Sequence, residues 1–170
     1  MQENLKIVRW GLSFSLLAVF LGFLLGGVFG GFEDALKTGL QMRGEAVLQT
    51  VYESDSSRLD KVLEKSWVYF KRAHMHAAGI GTASLSASLL LSSLGGAVAL
   101  RAVLSGALGL GALGYSSFWL LAGLRAPALG STGLAKESLT FLAVPSAASL
   151  LLGFLLTLGL TIWTFWLKET

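Results

Sequence analysis

Cysteine is absent from the 170-residue chain. That excludes disulfides, iron–sulfur clusters and thiolate metal sites, so any metal or haem would rest on histidine, methionine or carboxylate ligands. Histidine is nearly absent too: His74 and His76 are the whole supply, and Pro127 and Pro145 are the only prolines. Charge is the third shortage. Asp, Glu, Lys and Arg make up 14% of the residues, against about 25% in an ordinary soluble domain, while 54% are apolar. A net charge of +3 on so few charges is no signature of nucleic-acid binding. No P-loop, dinucleotide fingerprint, zinc-protease motif, nucleophile elbow or internal repeat is present.

The missing charge is missing in blocks. Residues 10–32, 77–100, 102–124 and 138–167 contain no Asp, Glu, Lys, Arg or His. A membrane crossing needs about 20 apolar residues at 1.5 Å each. The spacing therefore predicts an all-α, polytopic membrane protein. Its four-transmembrane-helix bundle has spans at about 10–32, 72–95, 101–124 and 138–167. Lys6 and Arg9 before the first run suggest a signal peptide, but the run is too long and no Ala-x-Ala-like site follows, so a retained span is expected. Lysines and arginines in short flanks favour the cytoplasmic side. With the N-terminus inside, Lys6, Arg9, Arg101 and Lys168 lie inside and Arg125 and Lys136 outside, which predicts both termini in the cytoplasm.

Residues 33–70 are the one long polar segment. With Lys71 and Arg72 they hold seven cations and seven carboxylates. Leu36, Leu40, Val47 and Val51, then Leu59, Val62, Leu63, Ser66, Trp67 and Phe70, recur at helical spacing. Ser57 with Asp60 resembles a capping box, so a helix is expected to start near Ser56. The segment reads as an extramembrane helical hairpin between helices 1 and 2, its first arm extending helix 1 and its second running into helix 2.

Small residues mark expected packing faces: Gly22, Gly26 and Gly30 on the first helix, Gly79, Ala83 and Ala87 on the second. Arg101 marks a short turn between the second and third helices. The stretch 126–137, with Pro127, Gly130 and Gly133, reads as a constrained turn segment. Pro145 is expected to kink the fourth helix or to end a first short one.

One stretch brings chemistry to a membrane boundary: Trp67 and Tyr69, then Lys71, Arg72, His74 and His76, then an uncharged run. Titratable groups at a helix mouth are costly there and are functional candidates. The four-span topology puts Glu33, Asp34, Arg72, His74, His76, Arg125, Lys136 and Glu137 at the same face. Residues two apart point about 200° from each other on a helix, so the two histidines cannot share an ion. His76 shares a face with Arg72, Gly79, Ala83 and Ala87 and is expected to point into the bundle toward Glu33, Asp34 or Glu137; His74 is expected to meet headgroups or a partner. Arg72-x-His74-x-His76 resembles a helix segment of membrane haem proteins related to the haem–copper oxidases. It covers five residues, and the other histidines of such a site are absent, so no role is transferred.

Three functions follow as expectations. The first is a small integral membrane subunit or accessory protein of a larger membrane complex, embedded in a lipid bilayer with other subunits or copies of itself. A haem- or metal-binding electron-transfer subunit using His76 or His74, with Met42 or Met75 as further candidate ligands, is the second. An oligomeric transporter or channel is the third. An enzyme is the least favoured, because no nucleophile–base set is present.

Overall fold

The computed structural model describes residues 2–167; Lys168, counted above as an inside charge, lies outside them. The described residues form helices α1 (Gln2–Ile7), α2 (Arg9–Glu45), α3 (Ser56–Ser93), α4 (Val98–Leu129), α5 (Thr132–Glu137) and α6 (Thr140–Ile162). A π-helical turn, Trp163–Leu167, continues α6. Three segments are long and apolar enough to cross a membrane: α2, α4 and Thr140–Leu167. The chain is thus an all-helical protein suited to a bilayer. Helix α3, which contains the expected second span, does not reach that apolarity. Its residues 79–93 are diluted by Gly79, Gly81, Thr82 and the serines at 84, 86, 88, 92 and 93.

Close contacts fix the register. A Cβ on Gly22 would lie 2.7 Å from Ala78 N, one on Gly26 2.8 Å from His74 Cε1, and one on Gly81 3.0 Å from Val19 N. Helices α2 and α3 therefore run antiparallel. Helix α4 lies parallel to α2, with Gly11 against Ser105 and a Cβ on Gly109 2.6 Å from Gly11 O. Helix α6 runs antiparallel to α4, with Gly111 and Gly114 against Ser146 and Gly153 against Leu108. Glycine is needed at Gly11 and Gly109 because two backbones touch there. Both ends of the described chain consequently lie at the same end of the bundle.

The helix boundaries depart from the sequence reading at several points, each for a local reason. Helix α2 extends past the span end at residue 32, as expected of the first helix, but with a bend at Phe32 (φ −136°, ψ 25°) before it continues to Glu45. Helix α3 starts at Ser56, but its cap is Asp55, whose side chain accepts from Arg58 N. An aspartate in extended conformation reaches those N–H groups directly, so the Ser57–Asp60 pair is not used. Helix α4 absorbs Pro127 and ends at Gly130, in the left-handed conformation (φ 64°). Ser131 Oγ then caps α5 by accepting from Gly133 N and Leu134 N. The break before α6 falls at Ser138–Leu139, not at Pro145, which sits inside α6. Leu139 is buried in the aromatic cluster, and that anchoring turns the chain six residues before the proline.

The expected packing residues also need correction. Gly22 and Gly26 lie against α3, but Gly30 is exposed with nothing near its Cβ position. Gly79 and Ala83 are exposed, while Ala87 is half-buried against the Val8–Leu91–Leu104 cluster. The buried face of α3 runs instead through Ala73, Ala77, Gly81, Ser84, Ser88 and Leu91, roughly 100° further round the helix. Both faces are built of small residues, so size alone does not select between them.

Candidate functional site

The polar stretch divides its two histidines between two neighbours. His74 Nδ1–H donates to Gly22 O at 2.8 Å, and its ring meets Phe29 edge-on at 6.0 Å. The absence of a side chain at Gly26 makes room for the imidazole. His74 thus joins α3 to α2, which is the interior role expected of His76. His76 instead faces α4: its ring stacks on Tyr115 at 5.3 Å and meets Trp119 edge-on at 6.2 Å. The 200° separation is real, but the packing face lies between the two histidines, so both enter the bundle from opposite sides.

One turn before His76, the Arg72 guanidinium lies 4.8 Å from the centre of the Trp119 ring and 5.7 Å from that of Tyr69. Arg72 and His76 on α3 therefore interleave with Trp119 and Tyr115 on the antiparallel α4. The i, i+4 spacing on both helices produces this ladder, since four residues make about one turn. Trp119 Nε1 is buried without a hydrogen-bond partner. Phe118, Ala122 and Leu139 close the ladder from behind.

The carboxylates stand apart from it. Glu33 pairs with Lys37 on its own helix, and the Lys37 ammonium lies 5.2 Å over Trp67. Asp34, Lys136 and Glu137 are exposed. Arg125 donates to Ser138 Oγ at 3.0 Å. Among the described residues the ion pairs are Lys6–Glu3 and Lys37–Glu33, and neither involves a histidine. The reason is register. With Gly26 opposite His74, Glu33 and Asp34 lie about two turns beyond the histidines. No group of three or more metal-binding side chains occurs among the described residues. Gly22 O engages His74 Nδ1, and the His76 ring lies on Tyr115 with Trp119 at its edge.

Two buried polar positions were missed in the sequence. Arg101 was read as a turn marker. It is 7% exposed and donates to Leu94 O at 2.9 Å, at the end of α3. A cation there meets the unpaired carbonyls and the negative end of the helix. Tyr52 is fully buried, and its hydroxyl donates to Pro127 O at 2.7 Å. That bond clamps the 46–55 connector to the end of α4, where Val51 also packs against Gly130. Burial pushes the Tyr52 phenol above its ordinary value, and the nearby Arg58 charge opposes this. Glu53 and Ser54 beside it hold positive φ (55° and 65°), a conformation that costs about 1–2 kcal/mol per residue.

No family model, curated protein or solved structure matches the chain.

Proposed function

We propose that the chain is a four-crossing integral membrane protein that serves as a small subunit or accessory protein of a larger membrane complex. One observation carries the reading: the outward face of α3 between residues 79 and 86 consists of Gly79, Thr82, Ala83 and Ser86, all exposed. A face turned to lipid tails is ordinarily bulky and apolar. The outward faces of α2 and α6 fit that description, with Phe20, Phe23, Leu151 and Leu155 each more than half exposed. Small side chains let another helix backbone approach closely, which is how helices associate in lipid. The Thr82 and Ser86 hydroxyls donate within α3, to Ala78 O and Thr82 O, so no hydroxyl proton on this face needs a partner outside the helix.

Helix α3 packs against both α2 and α4, each apolar enough to cross, and runs antiparallel to both. Its weaker apolarity is supportable in a bilayer when a partner covers the small face. Residues 33–70 then stand outside the membrane, and the N- and C-terminal ends face the cytoplasm by the flanking cations. The partner is another membrane subunit or a second copy of this chain.

The test is an Ala83→Trp variant in native membranes, with assembly size read by native gel and thermal stability read on the purified chain. Loss of the large assembly with an unchanged melting temperature is expected. A wild-type chain that migrates alone, with no partner captured by crosslinking from residue 83, would contradict the proposal.

A further inference from the structure

Helix α6 packs on α4 and touches α3 little, leaving a cleft that opens sideways. Its volume is about 310 Å³, and Ile80, Tyr115, Ala147, Leu150, Leu151 and Phe154 line it. The wall is apolar along α6, and Tyr115 on α4 is its one polar-tipped residue. Tyr115 carries the His76 ring on its face, and Arg72 follows one turn on, over Trp119. Arg72 is exposed, and among the described residues no carboxylate lies within ion-pair distance of it. A cation at the end of an apolar, lipid-facing cleft is charge-complementary to one class of molecule abundant in its surroundings.

We propose that the cleft between α3 and α6 binds one anionic phospholipid, an acyl chain lying against Leu150, Leu151 and Phe154 and the headgroup phosphate resting on Arg72. The guanidinium forms paired N–H bonds to phosphate oxygens while its flat face stays on Trp119, which a lysine cannot do. His76 and the Tyr115 ring form the step between the headgroup and the chain. The Tyr115 side chain, amphipathic by nature, suits that level of the membrane. The inference rests on α3 and α6 lying in the bilayer; it does not need a partner subunit.

Native mass spectrometry of the detergent-purified chain tests it, with phosphatidylglycerol and phosphatidylcholine of identical acyl chains as probes. The wild type is expected to retain one phosphatidylglycerol with at least a tenfold preference. Arg72→Gln should lose the preference. Ala147→Trp, which fills the cleft, should lose retention of both lipids, and Arg125→Gln should behave as wild type. Melting in phosphatidylcholine nanodiscs checks that each variant folds. Equal retention of the two lipids by the wild type, an unchanged preference in Arg72→Gln, or equal stabilisation by inorganic phosphate would overturn the proposal. Failure of α3 to cross would instead appear as turns 46–55 and 94–97 on the same side of the membrane, a result read independently of lipid retention.

Discussion

At the scale of single residues, the structure is held by a few polar contacts between helices that are otherwise small-to-small. His74 is one. His74→Ala removes the bond to Gly22 O and empties the space over Gly26, whereas His76→Ala removes a ring stacked at a half-buried surface. The first is expected to lower the melting temperature more, by the equivalent of about 1–2 kcal/mol for a lost hydrogen bond and its cavity; differential scanning fluorimetry of both variants in detergent reads the order. Tyr52 is another. Its phenol pKa is raised in the folded chain, so the unfolded chain releases this proton first as pH rises. The stabilisation it contributes is complete below about pH 10, the ordinary tyrosine value, and is lost at higher pH. Melting curves from pH 8 to 11 should fall more steeply for the wild type than for Tyr52→Phe, which has no proton to lose. The same variant at pH 7 should be less stable by about 1 kcal/mol. Equal slopes would mean that the clamp does not feel the phenol's charge.

At the scale of elements, the apolar runs were legible because composition changes sharply at their ends. The start of α3 near Ser56 was legible because only cap-forming residues, Ser and Asp, occupy 54–57. What sequence does not encode locally is register and rotation. The set Gly79, Ala83 and Ala87 and the set Ala77, Gly81, Ser84 and Ser88 are equally small, so the face that α3 buries is decided by α2 and α4, not by α3. The same holds for the charged cluster expected around His76. Grouping Glu33, Asp34 and Glu137 assumes that all helices cross the boundary at one level, and the contact of Gly26 with His74 displaces Glu33 and Asp34, while Glu137 ends the separate helix α5. Proline misled for a different reason: in the second turn of α6, Pro145 removes one N–H but need not break the helix when a tighter constraint, buried Leu139, already sets the bend. Pro145→Ala should therefore leave the interruption at Ser138–Leu139 in place, with rapid amide exchange there in both proteins. Arg101 belongs to this scale as well. Arg101→Gln withdraws the cation from the end of α3, and faster exchange over residues 88–93 is the expected result.

At the scale of the whole molecule, the glycines at 11, 22, 81, 109, 111 and 153 bring four long helices into close contact, and the outward small face of α3 is left exposed among the described residues. Whether α3 itself crosses the bilayer decides the account, because its apolarity alone falls short. The cysteine-free sequence makes the test clean. Gln49→Cys places a single thiol in the α2–α3 connector and Ala97→Cys places one in the α3–α4 turn, both at exposed positions. Labelling sealed cells or oriented vesicles with a membrane-impermeant maleimide reports the side of each. The account predicts opposite sides, with residue 49 outside and residue 97 in the cytoplasm. Labelling of both from the same side would contradict it.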